Sequence, residues 1–316
     1  MNELFQGMEY VYAVYKEKGF SAAAKKMFVS QPSLSAAVKR VEDKIGYPIF
    51  DRSTKPLTLT ECGRGYIRSV EQIMAVQNDF SRFLDDWGAL KTGSLTIGGS
   101  SLYASQILPS LIHTFSQKYP GIQVSLVEGS SQKLQSMLAE GDLDLLIDSS
   151  VLDPDTYDSL TIKEERLFLA VPVKFDINKK LAAYRISAEQ IAGGKEEWIL
   201  HRPVPLKLLQ NEPFVFLNAE NDTGRRAAAL CHQAGFSPNV LFTLDQQLTA
   251  YQITKSGLAL SILSDTLISK MDESERVVYY CVDPSASCRR LRLFWKRARY
   301  TSHAISEFLK MASPQK

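Results

Sequence analysis

Histidine and cysteine are scarce in this chain, four of each among 316 residues. Cys62, Cys231, Cys281 and Cys288 form no CxxC pair and have no histidine at metal-ligand spacing, so neither a zinc site nor any other metal or cofactor is expected. Cys281 and Cys288 flank a turn-like DPSAS stretch and could meet across a hairpin; reduced structural thiols are the reading for a cytosolic chain. His113, His201, His232 and His303 are dispersed, and there is no P-loop, GxSxG or HExxH motif; the GGSS turn lacks the spacing of a dinucleotide fingerprint. No catalytic constellation is legible, so no enzyme is expected. Nor is there a run of the roughly 20 apolar residues that a membrane span requires. Glu3, Glu9, Lys16 and Glu17 break the basic-then-apolar layout of a secretion leader, so the expected place of work is the cytoplasm.

What is present is enough chain for two or three compact units, with 45% hydrophobic and 23% charged residues. The formal net charge of +2 is unevenly spread: residues 1–70 hold 11 Lys and Arg against 7 Asp and Glu, the remainder 26 against 28. The amino-terminal part is therefore the one suited to a polyanion.

A first helix is predicted from Leu4 to Lys18, with Phe5, Met8, Val11, Tyr12 and Tyr15 on its apolar face. Ser21 reads as the N-cap of a short Ala-rich helix, Val29-Ser30-Gln31 as a turn, and Ser30 with Pro32 as the start of a third helix buried through Leu34, Val38, Val41 and Ile45. The opposite face of that third helix displays Gln31, Ser33, Ser35, Ala36, Lys39 and Arg40. Short polar groups near the helix start followed by two cations are what a helix entering the major groove requires; a solvated face is the alternative. After Gly46, YPIFDRSTKPLTLT reads as two short strands around a polar turn, a wing bearing Arg52 and Lys55.

The run GFSAAAKKMFVSQPSLSAAVKRVEDKIGYPIFDRSTKPLTLTECG resembles the winged helix-turn-helix of the LysR-type transcriptional regulators: an F-x-x-A-A helix, S-Q-P-x-L-S, an E-x-x-I-G-x-x-I-F-x-R segment and T-x-x-G. The resemblance implies that Ser21, Gln31, Pro32, Ser33 and Ser35 face bases or adjacent phosphates, while Lys39, Arg40, Arg52 and Lys55 meet the DNA backbone. The family often carries Arg where this chain has Ala36, so one contact is missing and sequence preference should differ.

From Thr60 to about Ala89 the pattern is one long helix, about 45 Å at 1.5 Å per residue. Tyr66, Val70, Ile73, Gln77, Phe80, Leu84 and Trp87 follow heptad spacing, and Tyr66, Val70, Ile73, Phe80, Leu84 and Trp87 are the candidate dimer seam. The resemblance implies the same: a linker helix that pairs two subunits for a two-fold-symmetric operator on double-stranded DNA, a dimer or tetramer, with RNA polymerase a candidate further partner.

Beyond Gly93 strands and helices alternate, an α/β pattern. The fold class expected is an α-helical winged helix-turn-helix domain (1–60), a linker helix (61–92) and a two-lobed α/β effector domain (93–316) resembling type 2 periplasmic solute-binding proteins. Lobe I is expected at 93–163 and 267–316, lobe II at 164–266. Gly98-Gly99-Ser100-Ser101 and Gly129-Ser130-Ser131 join strands to helices, placing helix starts and hydroxyls at a crevice where an anion fits. The resemblance implies a small-molecule effector there, held by Ser100, Ser101 and Ser130; ordinary capping is the alternative for each. Residues 193–210 read as an insertion in which Trp198, His201, Arg202 and Lys207 form a lid, or else a solvated loop. Asn221, Thr223 and Arg225 are further candidates, and the effector-site residues expected are Ser100, Ser101, Ser130, Arg202 and Thr223.

Overall fold

The computed structural model describes residues 4–54, 56–87, 93–194, 198, 200–271 and 275–314; the side chains of residues 82 and 85–87 also lie outside the description, as does Lys55. Two compact units emerge, residues 1–81 and 82–316.

In the first unit, helices α1 (Met8–Lys16), α2 (Phe20–Lys26) and α3 (Gln31–Ile45) precede the antiparallel wing strands β1 (Phe50–Asp51) and β2 (Thr58–Leu59) and helix α4 (Glu61–Trp87). Val11, Val14, Ala23, Ala24, Leu34, Val38, Val41, Ile49 and Val70 share one core, the small Ala23 and Ala24 letting α2 lie close to its neighbours. The ends of α3 are set by chemistry visible in the sequence. The Ser30 hydroxyl accepts the Ser33 N–H at 3.2 Å, Pro32 occupies the first turn, and Gly46 takes the left-handed conformation (φ 82°) that stops the helix. Ser21, by contrast, is no cap: Gly19 is the N-cap of α2, and Ser21 lies within its first turn.

One carboxylate organises the turn from α3 into the wing. Glu42 accepts the backbone N–H groups of Ile49 (2.8 Å) and Phe50 (3.2 Å) and pairs with Arg52 at 3.0 Å. The Thr60 hydroxyl donates to the Pro48 carbonyl at 2.6 Å and accepts the Gly63 N–H at 2.9 Å. A Cβ at Gly63 would fall 2.0 Å from the Ile49 carbonyl oxygen, so only glycine admits this approach. The E-x-x-I-G-x-x-I-F-x-R and T-x-x-G patterns are thus the two fastenings of the wing.

The first part of α4 packs within its own unit. Tyr66 and Val70 are 8% and 0% exposed; Tyr66 stacks on Phe5 at 5.3 Å and donates its hydroxyl to the Leu4 carbonyl. These two expected seam positions therefore belong to the head's core. Ile73 is half-buried, and exposure begins with Val76 (69%), Phe80 (60%) and Leu84 (54%).

The second unit is built from two sheet regions. In lobe I the order is β4 (Ile122–Glu128), β3 (Gly93–Gly99), β5 (Leu145–Asp148), β12 (Cys288–Lys296) and the first part of β6 (Tyr157–Pro172), with β4, β3 and β5 parallel and β12 antiparallel to its neighbours. In lobe II the second part of β6 pairs with β11 (Val277–Cys281) and β10 (Leu260–Ser264), and beyond β10 lie β8 (Pro213–Leu217) and β9 (Asn239–Leu244); β7 (Arg185–Ile186) flanks β11. The 16-residue strand β6 thus runs from one lobe into the other. Glu164–Arg166 still pair in lobe I with Cys288–Arg290, and Leu167 is the first residue in the lobe II register. Val277–Cys281 pairs with Phe168–Pro172 and so lies in lobe II, not in lobe I where the alternating pattern places it; the chain returns at Cys288. An all-apolar run such as VVYYCV suits any buried strand, and only its partner decides which sheet it joins.

The segment expected as a lid is also packed down. Trp198 is 5% exposed, donates its indole N–H to the Ile191 carbonyl at 2.9 Å and sets its ring edge-on to Phe168 at 5.5 Å. Val204, Leu206 and Leu209 enter the lobe II core.

Candidate functional site

The outward face of α3 gathers most of the residues singled out in the head. Gln31, Pro32, Ser33, Ala36, Lys39 and Arg40 are exposed and Ser35 half-buried, while Leu34, Ala37, Val38 and Val41 hold the helix to its core. The Ser21 hydroxyl donates to Gln31 Oε1 at 3.0 Å, across the turn, a bond that uses the amide oxygen and not its N–H₂ donors. The Ser30 and Ser33 hydroxyls bond each other at 2.7 Å. Arg52 is exposed but already engaged: besides Glu42 it lies over the Phe20 ring at 5.2 Å. Pattern reading missed Phe28, which is 96% exposed in the turn before α3 and takes a left-handed conformation (φ 55°) that is uncommon for a bulky residue.

In the second unit a cavity of about 480 Å³ opens between the lobes. Ser100, Ser101 and Ser130 all line it, joined by Asn218, Asn221, Asp245 and Gln246 from lobe II. Four helices begin at this wall: Ser101–Gln106 after Ser100, Ser131–Glu140 after Ser130, Asp222–Gln233 after Asn221 and Gln247–Ser256 after Gln246. Ser130 caps its helix weakly, accepting the Lys133 N–H at 3.4 Å, and Ser100 makes no side-chain cap at all. Of the two readings for these serines, ordinary capping accounts for Ser130 only in part and for Ser100 not at all. The cavity also carries carboxylates that sequence reading overlooked, Glu128, Glu220 and Asp245, and among the described residues no Lys or Arg lines it. Asp245 accepts a hydrogen bond from the Asn218 amide. No sequence motif marks these residues, because Glu128 ends β4, Glu220 and Asp245 stand in lobe II loops, and only the tertiary fold brings them to one cavity.

Arg202 and Thr223 are placed elsewhere. Arg202 is exposed and absent from the cleft wall; its neighbours His201 and Pro203 line a different cavity. Thr223 is 1% exposed: its N–H goes to Asn221 Oδ1 at 2.9 Å and its hydroxyl accepts from Arg289 (2.9 Å) and Gln247 (3.2 Å). Thr223 thus braces the wall from behind. Arg225 braces the loop before it, donating to the Ala219 and Glu220 carbonyls.

Residues 88–315 match the family model of the LysR substrate binding domain, and residues 5–64 that of the bacterial regulatory helix-turn-helix protein, lysR family. The chain belongs to the LysR family. This LysR-family protein is a DNA-binding transcription regulator with an effector-binding domain. It is 27% identical over 307 residues to the uncharacterized HTH-type transcriptional regulator YcgK of Bacillus subtilis (strain 168), covering 96% of this chain and 92% of YcgK. In fold it is similar to full-length OxyR from Pseudomonas aeruginosa (TM-score 0.67, 18% identity, 99% and 94% of the two chains). It is likewise similar to full-length CbnR in complex with its target DNA (TM-score 0.61, 17% identity, 98% of each chain).

Behind the cleft of this regulator lies a buried ionic network at the strand crossover. Arg289, on β12, has 1% of its side chain exposed and pairs with Glu165 of β6 at 2.6 Å and with Asp222 at 3.1 Å. Glu165 also accepts from the hydroxyls of Tyr103 (2.9 Å) and Thr266; Asp222 accepts from Arg226 at 2.8 Å. Burial alone would raise both carboxyls, but the Arg289 guanidinium and these donors outweigh it and hold Glu165 and Asp222 below the ordinary carboxylate range. Asp265 goes the other way: burial and the Glu165 charge raise it despite Lys163 at 2.8 Å. The network joins lobe I residues to Asp222 and Thr223, the first turn of the helix capped by the cleft residue Asn221.

Replacing Arg289 by Met leaves the buried Glu165 without its salt-bridge partner and Asp222 with Arg226 and Arg225 only, and is expected to cost about 3–5 kcal/mol in urea denaturation at neutral pH. Depressed carboxylates stabilise fully above their unfolded pKa of about 4 and lose that contribution as pH falls through the folded value. In Arg289→Met the buried Glu165 carboxyl rises instead, while Asp222 keeps its Arg226 pair, so the deficit should shrink from pH 7 to pH 5. A deficit independent of pH would contradict this assignment.

Proposed function

We propose that the amino-terminal half of α3 reads the operator. What carries the reading is the exposed face Gln31–Arg40, on a helix whose start is fixed by Ser30 and Pro32. With its oxygen occupied by Ser21, Gln31 offers N–H donors that suit the acceptors on the major-groove edges of guanine, adenine or thymine. Pro32, Ser33, Ser35 and Phe28 fit the adjoining sugar-phosphate and apolar base edges, and Lys39 and Arg40 the phosphates. Arg52 acts chiefly by holding the wing through Glu42, with Lys55 beside it in sequence. Because lysines on phosphates release counterions while base contacts do not, two classes of variant separate. Against the protein's own upstream DNA, Lys39→Ala with Arg40→Ala should weaken specific and random DNA alike and lower the salt slope by about 2. Gln31→Ala should cost about 1–3 kcal/mol on the operator alone. Equal losses on both DNAs for Gln31→Ala would rule out base reading by this residue.

The seam that pairs two heads runs over Ile73, Val76, Phe80 and Leu84, the apolar stripe that α4 leaves exposed after Val70. The side chain of Trp87 lies outside the described residues, and Tyr66 and Val70 support the stripe from the head's core. Pairing there presents two heads to a two-fold-symmetric site, in a dimer or tetramer working on cytoplasmic DNA with RNA polymerase as a candidate partner. Val76→Asp with Phe80→Asp should lower the mass measured by sedimentation equilibrium; an unchanged mass would place the interface elsewhere.

The effector fits between the lobes. Helix starts at Ser130, Asn221 and Gln246 favour an anionic group, and Glu128, Glu220 and Asp245 favour hydroxyl or ammonium donors, so a small hydroxy acid or amino acid matches better than a simple anion. Closing on it shifts the Asp222–Arg289–Glu165 network and with it the balance between two arrangements of the assembly. Such acids should raise the melting temperature of the full chain, and Ser101→Trp, which fills the cleft, should abolish the rise. A rise that survives Ser101→Trp would show binding somewhere other than the cleft.

A further inference from the structure

A second cavity, about 520 Å³, lies against the two crossover strands and shares no lining residue with the cleft. Its walls come from both lobes. Glu164–Arg166 of β6 and Cys288–Arg290 of β12 form one side, and Trp198, His201, Pro203 and Pro284 the other. The volume falls within the range of small-molecule sites, roughly 300–1,000 Å³.

The chemistry of the lining is uneven in an informative way. Glu165 and Arg289 satisfy each other in the buried network, and Glu164 stands opposite Arg290 in the strand register. Arg166 makes no salt bridge among the described residues, although its charge helps to hold the Asp283 carboxyl low. Arg166 is 5% exposed, donates one Nη to the Val282 carbonyl at 3.1 Å, lies over the Phe168 ring at 5.8 Å, and its Nε has no hydrogen-bond partner among the described residues. A buried guanidinium donor left unpartnered at a cavity wall is costly unless something accepts from it. Trp198 has already spent its indole N–H on Ile191, so with Pro203 and Pro284 it offers only apolar surface.

We propose that this cavity is a second ligand site, for a small carboxylate with a flat apolar body. The carboxylate accepts from Arg166, with His201 as a further donor, and the ring lies against Trp198 and the two prolines. Bound there, the ligand touches both crossover strands at the point where the lobes join, beside Arg289, and so favours one lobe arrangement independently of what occupies the cleft. The proposal does not rest on the effector reading of the cleft.

The test uses the full chain carrying 5-fluorotryptophan, whose three tryptophans give three fluorine signals, that of Trp198 assigned by Trp198→Phe. Salicylate and 1-naphthoate are the probes, and 2-hydroxybenzyl alcohol the neutral control. The expected result is a saturable shift of the Trp198 signal with a carboxylate probe and none with the alcohol. Arg166→Met should weaken the affinity about tenfold, the loss of one charge-assisted contact. Pro203→Phe, an exposed position where a larger ring fills the mouth, should abolish the shift while leaving the fold intact by circular dichroism. The proposal is overturned if the Trp198 signal stays in place with both carboxylates, if the alcohol moves it equally, or if Arg166→Met and Pro203→Phe both bind as the unsubstituted chain does.

Discussion

The sensor half of this regulator depends on one buried cation. Arg289 is almost wholly removed from water, and it remains there because Glu165 and Asp222 reach it from different elements while Tyr103 and Thr223 complete its surroundings. A guanidinium buried this deeply is tolerable only with its full set of partners, so the geometry of the crossover is tightly specified. Glu165 sits on the strand leaving lobe I, Arg289 on the strand returning to it, and Asp222 at the head of a lobe II helix. Any movement of one lobe relative to the other must be accommodated by these three residues. The network also reaches the cleft, since Asn221, the neighbour of Asp222 in sequence, lines it.

The head shows the same economy on a smaller scale. Glu42 holds Ile49, Phe50 and Arg52 at once, and Thr60 with Gly63 closes the other side of the wing. Cation and carboxylate here are partly exposed, so the ion pair itself adds little; the two backbone N–H groups that Glu42 satisfies matter more. Arg52 is therefore better understood as the residue that seats the wing over Phe20 than as an unattached phosphate clamp.

Much of this was legible in the residue order. Helix α3, its cap at Ser30, its stop at Gly46 and its polar outer face all follow from local chemistry acting within a turn or two of chain, and so do the serines at the strand-to-helix turns of lobe I. The errors share a cause. Tyr66 and Val70 satisfy a heptad rule, but an apolar position shows only that it is covered, not by what, and Phe5 and the head's core cover these two. Trp198 and the run Val277–Cys281 were misplaced for the same reason, since pairing partners some 30 to more than 100 residues away decide their location. The carboxylates Glu128, Glu220 and Asp245 carry no spacing signature at all.

The sequence by itself determined the family, the helix-turn-helix and the alternation of strands and helices, because caps, glycine stops and apolar periodicity act over a few residues. Tertiary structure alone decided which apolar residues stay exposed, where the strands cross between lobes, and how Arg289, Glu165 and Asp222 meet. Those outcomes depend on long-range burial and charge pairing, whose energies are set by neighbours that the local sequence does not name.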